Sequence, residues 1–84
     1  MSKVTIYTTR FCPYCVRAKS LLEKKNAEYV EIAVDSDHEQ RSIMEQRSRQ
    51  TSVPQIFIGE QHIGGCDDLH ALEAAGELDT RLAV

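Results

Sequence analysis

Polar and apolar residues alternate along Lys3-Val4-Thr5-Ile6-Tyr7-Thr8, and the segment is rich in β-branched side chains. This pattern predicts a strand. After the short connection Thr9-Arg10-Phe11 the period lengthens. Cys15, Ala18, Leu21 and Leu22 fall on one helical face, and Arg17, Lys19, Glu23 and Lys24 on the other. Pro13 suits the first turn of that helix, where its missing N–H removes no bond. The helix is expected to reach about Lys25 and to stop at Asn26.

Alternation returns from Glu28 to Val34, the second strand. Ser36-Asp37-His38-Glu39 has the form of a capping box, with Ser36 as cap and Glu39 reaching back. A second helix is expected to about Ser48, with Ile43 and Met44 inward. Val53-Pro54 interrupts the pattern. Gln55-Ile56-Phe57-Ile58 and Gln61-His62-Ile63 flank Gly59-Glu60 and predict a hairpin. Gly64-Gly65 permits an unusual backbone. Asp67 is placed to cap a third helix that turns Leu69 and Leu72 inward and ends at Gly76. One more helical turn is expected between Glu77 and Val84. The order β-α-β-α-β-β-α, with a right-handed first crossover, predicts an α/β fold in which helices flank one four-stranded mixed sheet.

A chain of 84 residues has room for one such domain, residues 1–84, and none for a large cavity. A ligand is therefore expected in a surface groove. The formal net charge of -3 disfavours a nucleic-acid partner. No apolar run approaches the roughly 18 residues that span a bilayer, and the first residues do not read as a secretory signal.

Three cysteines, Cys12, Cys15 and Cys66, are an odd count for a disulfide scaffold. Two of them form Cys12-Pro13-Tyr14-Cys15, a C-x-x-C pair that reads first as redox chemistry and second as half of a metal site. A cycling dithiol belongs in a reducing compartment, so a cytoplasmic setting is expected. Cys12 falls at a strand-to-helix junction. There the free N–H groups and the helix dipole favour a negative sulfur, and the thiolate is the nucleophile. Arg10, Arg17 and Lys19 are near in sequence and add positive charge. Cys15, one turn inside, is near enough to donate to that sulfur or to attack a disulfide formed on it. Cys12 is expected to be exposed and Cys15 shielded. Two other readings compete: a pair of cysteines that merely pack, and a zinc set of Cys12, Cys15, Cys66 and His70. Packing does not explain C-P-x-C at such a junction. The long separation of the two halves counts against zinc, and no metal is expected.

At Cys12-Pro13-Tyr14-Cys15 the sequence resembles the glutaredoxin family, specifically its small bacterial-type dithiol members. Ser52-Val53-Pro54-Gln55-Ile56-Phe57-Ile58 resembles the family's T-V-P-x-I-F-I stretch, and Gly64-Gly65-Cys66-Asp67-Asp68-Leu69 its G-G-x-D-D-L stretch. The resemblance implies a thioredoxin fold with three to four helices and Pro54 in a cis peptide bond facing Cys12. It implies glutathione as reductant and co-substrate, with catalysis by Cys12 and Cys15. Partners would be glutathionylated or disulfide-containing proteins, ribonucleotide reductase among them, and the protein would be a monomer. The Val53 backbone would pair with the glutathione cysteine, beside Ser52 and Pro54. The γ-glutamyl carboxylate would meet N–H groups at the start of the third helix, around Gly65, Cys66 and Asp67, while Asp68 would pair with the ammonium. Tyr14 would flank the sulfur, and Arg41 would reach the glycine carboxylate. The family's usual lysine three residues before the nucleophile is Thr9 here, and Arg10 is the substitute.

Another departure is Arg49, where the family often closes its second helix with glycine. A left-handed arginine there would cost roughly 1 kcal/mol. Cys66 is expected to be chemically idle because its acidic neighbours raise a thiol pKa. His38, His62 and His70 are expected at the surface without a role, and Tyr7 and Phe57 in the core. Two rivals share the fold. A thioredoxin-type reductase partner usually carries C-G-P-C. An iron–sulfur-binding glutaredoxin typically carries C-G-F-S, and Pro13 disfavours it.

Overall fold

The computed structural model describes residues 3–83. Residues 1, 2 and 84, the ends of the expected domain and of its last helical turn, lie outside the described residues. The elements are β1 (Val4–Thr8), α1 (Pro13–Lys24), β2 (Tyr29–Ala33), α2 (His38–Ser48), β3 (Gln55–Ile58), β4 (Gln61–Gly64), α3 (Cys66–Ala74) and α4 (Leu78–Ala83). The sheet order is β2-β1-β3-β4. β1 runs parallel to β2 and antiparallel to β3, and β4 is antiparallel to β3. This is the four-stranded mixed sheet that the pattern predicts.

Period two along the central strands divides the core. Val4, Ile6, Ile56 and Ile58 face one side, with Ala18, Leu21 and Leu22 of α1, Cys66 and Leu69 of α3, and Leu78 and Leu82 of α4. Tyr7 and Phe57, one residue out of phase, face the other side with Met44 of α2 and Val34. Tyr7 meets Phe57 edge-on, with ring centroids 5.9 Å apart. The predicted inner face of α1 is fully buried. Each large apolar side chain hidden this way contributes about 1.5–3 kcal/mol.

Three boundary expectations are corrected or resolved. The N-cap of α2 is Asp37, not Ser36: the Asp37 carboxylate accepts the Gln40 N–H at 3.0 Å. Asp37 is the extended residue leading into the helix, so the capping frame moves by one position. The N-cap of α3 is Gly65, not Asp67. Gly64, at φ 119°, turns the chain early enough that Cys66 is already helical. Asp67 therefore lies in the first turn, and the Asp68 carboxylate reaches back to accept the Gly65 N–H at 2.9 Å. Arg49 does close α2 in the left-handed conformation, at φ 61°.

Candidate active site

Cys12 is the N-cap of α1. Its backbone is extended, and Pro13 follows as the first helical residue. The Cys15 N–H donates to Cys12 Sγ at 3.0 Å. That amide is one of the donors a helix start leaves without a backbone partner, so it is free to serve a negative sulfur. Cys12 Sγ also stands 3.9 Å from the Val53 carbonyl oxygen. Cys12 is half-buried where an exposed thiol is expected from the sequence, and the neighbouring loop at Val53 provides cover.

Cys15 is 1% exposed. Burial, and then its hydrogen bond to Cys12, push its thiol up to about 12. It keeps its proton at neutral pH and can donate it to the Cys12 sulfur. Cys66 is also buried, and its thiol is pushed up. Burial is the main cause; the Asp67 charge adds to it and Arg17 opposes it. The acidic neighbours invoked from the sequence are thus the smaller part of the explanation.

A groove runs from Tyr14 past Ser52, Val53 and Pro54 to Gly65, Cys66, Asp67 and Asp68. The fold brings these residues together from three separate stretches of chain. The Val53–Pro54 peptide is cis. Gln50 also lines the groove. Sequence reasoning missed it, and the available signal was its place in the loop leading into Val53-Pro54.

Two expected ligand residues are directed elsewhere. Arg10 Nε pairs with Asp35 at 3.3 Å, and its backbone N–H donates to the same carboxylate. Arg41 pairs with Glu45 at 3.3 Å and donates to the Thr51 carbonyl at 3.0 Å. Lys19, offered as electrostatic support for Cys12, pairs with Glu31 at 3.0 Å. Arg17 lies over the Tyr14 ring, 5.8 Å from its centroid. Two of the three histidines make side-chain contacts. His62 contacts Gln55 at 2.7 Å, and His70 Nδ1 lies 2.9 Å from the Cys66 carbonyl oxygen and 3.4 Å from its sulfur.

Among the described residues, no group of three or more His, Cys, Asp or Glu side chains is arranged to hold a metal ion. No helix among them is long and apolar enough to cross a membrane.

A half-buried sulfur at a helix start, a protonated thiol one turn inside and an open groove alongside are the parts of a thiol–disulfide oxidoreductase, here on a thioredoxin fold. The sequence model of the Glutaredoxin family matches residues 4–63. The chain is 55% identical to a glutaredoxin of Pseudomonas aeruginosa, covering 99% of each chain. It is 54% identical to glutaredoxin 3 of Escherichia coli strain K12, covering 98% of this chain and 99% of that one. The crystal structure of a buckwheat glutaredoxin–glutathione complex superimposes with a TM-score of 0.88 at 31% identity, over 95% of this chain and 76% of the other. This chain belongs to the glutaredoxin family.

Proposed function

We propose that this protein uses glutathione to reduce protein–glutathione mixed disulfides and protein disulfides, with Cys12 as nucleophile and Cys15 as resolving thiol. The observation that carries this is Cys12 Sγ, held by the Cys15 N–H at 3.0 Å, beside a groove suited to an extended peptide. In the monothiol route, the Cys12 thiolate attacks the glutathionyl sulfur. The old S–S bond breaks, the substrate thiolate leaves and takes up a proton, and glutathione remains on Cys12. A second glutathione thiolate attacks that disulfide, releasing oxidised glutathione and restoring Cys12. The route consumes one added glutathione: its sulfur and the glutathionyl sulfur of the substrate end joined as oxidised glutathione, and the protein sulfur ends as a thiol. In the dithiol route, Cys12 attacks a protein disulfide and Cys15 displaces the product thiolate, closing a Cys12–Cys15 disulfide that glutathione reduces.

Several features support glutathione as the ligand. The Val53 backbone flanks Cys12 and can pair with an added strand. The N-terminus of α3 offers N–H groups to the γ-glutamyl carboxylate, and the exposed Asp67 and Asp68 offer negative charge to its ammonium. One related structure was crystallised with glutathione. The expected potential is about −200 to −230 mV, the range of glutaredoxins.

The test is a mixed-disulfide assay with glutathione alone, without a flavoprotein. Cys12→Ser abolishes both routes. Cys15→Ser retains deglutathionylation and loses reduction of intramolecular protein disulfides. A Cys15 variant that lost both activities would refute the monothiol route, and a wild-type protein needing a flavoprotein reductase would point to thioredoxin-type chemistry.

A further inference from the structure

Residues 49–54, between α2 and β3, supply one wall of the groove, and side chains help hold them in place. Ser48 Oγ accepts the Gln50 N–H at 3.1 Å, and Arg41 holds the Thr51 carbonyl. A third strut is Gln55, the first residue of β3, which is 1% exposed. Its Nε2 donates to the Ser52 carbonyl and to Gln50 Oε1, both at 3.0 Å. Its Oε1 lies 2.7 Å from His62 Nε2, on β4.

The roles in this chain follow from chemistry. A peptide carbonyl can only accept, so the Gln55 nitrogen must face Ser52. Its oxygen then faces His62, which must donate from Nε2. The imidazole is steadied by the Phe57 ring, 4.9 Å away between centroids. A buried amide engaged at both ends has one orientation. That orientation passes to Gln50, whose Oε1 is occupied, so its NH₂ end is left to meet an acceptor oxygen in the groove. The cations expected near this end of the groove are bound to Asp35, Glu45 and Thr51.

We propose that Gln55 and His62 are positioning residues for this wall, and that Gln50 is the specificity-determining donor they aim at an acceptor oxygen of the docked tripeptide. The proposal rests on the glutathione reading above. The test measures steady-state kinetics on a peptide–glutathione mixed disulfide. Gln55→Leu should raise KM about three- to ten-fold, the size of one net hydrogen bond, with the loss carried by KM and not by kcat. Alkylation of Cys12 by iodoacetamide should keep its wild-type rate. Gln50→Ala should raise KM by a similar factor, and the double variant should add nothing further. His62→Phe keeps a ring against Phe57 but loses the donor, so it should shift KM the same way. His62→Gln restores an N–H and should recover it. Independent, additive effects of Gln50→Ala and Gln55→Leu, or a loss in kcat with KM unchanged, overturn this inference alone. A wild-type protein inert toward the probe overturns the glutathione reading together with it. If Gln55→Leu fails to fold, the His62 pair decides the same question.

Discussion

The backbone amide of Cys15 and the sulfur of Cys12 stand 3.0 Å apart within one turn of α1. The same residue that shields its own thiol in the core thus lends its N–H to the sulfur at the surface. Pro13 lies between them and has no N–H to compete. One short stretch of chain therefore makes two chemically unequal cysteines.

That inequality predicts the order of alkylation. Iodoacetamide at neutral pH should label one cysteine of the native protein, Cys12, and all three after denaturation. Cys15, pushed up to about 12, and buried Cys66 both remain thiols at that pH. Mass spectrometry of digested protein locates the label. Native labelling of Cys66 at a rate matching Cys12 would contradict the arrangement.

Glu31 links acid stability to β2. Its carboxylate accepts from Thr8 Oγ1 at 2.7 Å and from Lys19 at 3.0 Å. The Thr8 bond, with help from Lys19, holds it below the usual carboxylate range, against a smaller opposing effect of burial. A lowered folded pKa means stability that is present above the unfolded value, about 4.3, and lost as pH falls through the folded one. Glu31→Gln should therefore be less stable than wild type at pH 7, and the gap should close at an acid pH where the folded-state carboxylate is protonated. Urea midpoints at the two pH values check this; an unchanged gap would exclude ionisation as its source.

Arg49 occupies a conformation that L-residues adopt with strain, at φ 61°. Arg49→Gly should relieve it and stabilise the protein by about 0.5–1 kcal/mol, after allowing for the greater freedom of glycine in the unfolded chain. Chemical denaturation measures the difference.

Gly64 admits no side chain. It lies at φ 119°, and a Cβ there would stand 2.8 Å from Asp68 Cγ and overlap the oxygen that accepts the Gly65 N–H. Gly64→Ala should cost about 2 kcal/mol or more, from backbone strain plus a lost hydrogen bond, and, on the function proposed above, should weaken glutathione binding. Asp68→Ala loses only the bond and should cost about 1 kcal/mol. Equal losses in thermal or urea unfolding would show that the backbone carries no strain.

What the chain declares by itself is whatever repeats at short range. The buried face of α1, the opposed faces of β1 and β3, the hairpin at Gly59-Glu60 and the C-P-x-C junction all follow from spacings of a few residues, where periodicity and motif are written directly. Only the folded molecule decided which carboxylate Arg10 takes, 25 positions away in Asp35, and that Gln55 would lock Gln50 while resting on His62. Cap frames at Asp37 and Gly65 shifted for the same kind of reason: a cap depends on where the backbone turns, not only on which residues are able to cap. Side-chain partners are chosen by distance in space. Local pattern carries no record of that distance until the sheet brings the segments together.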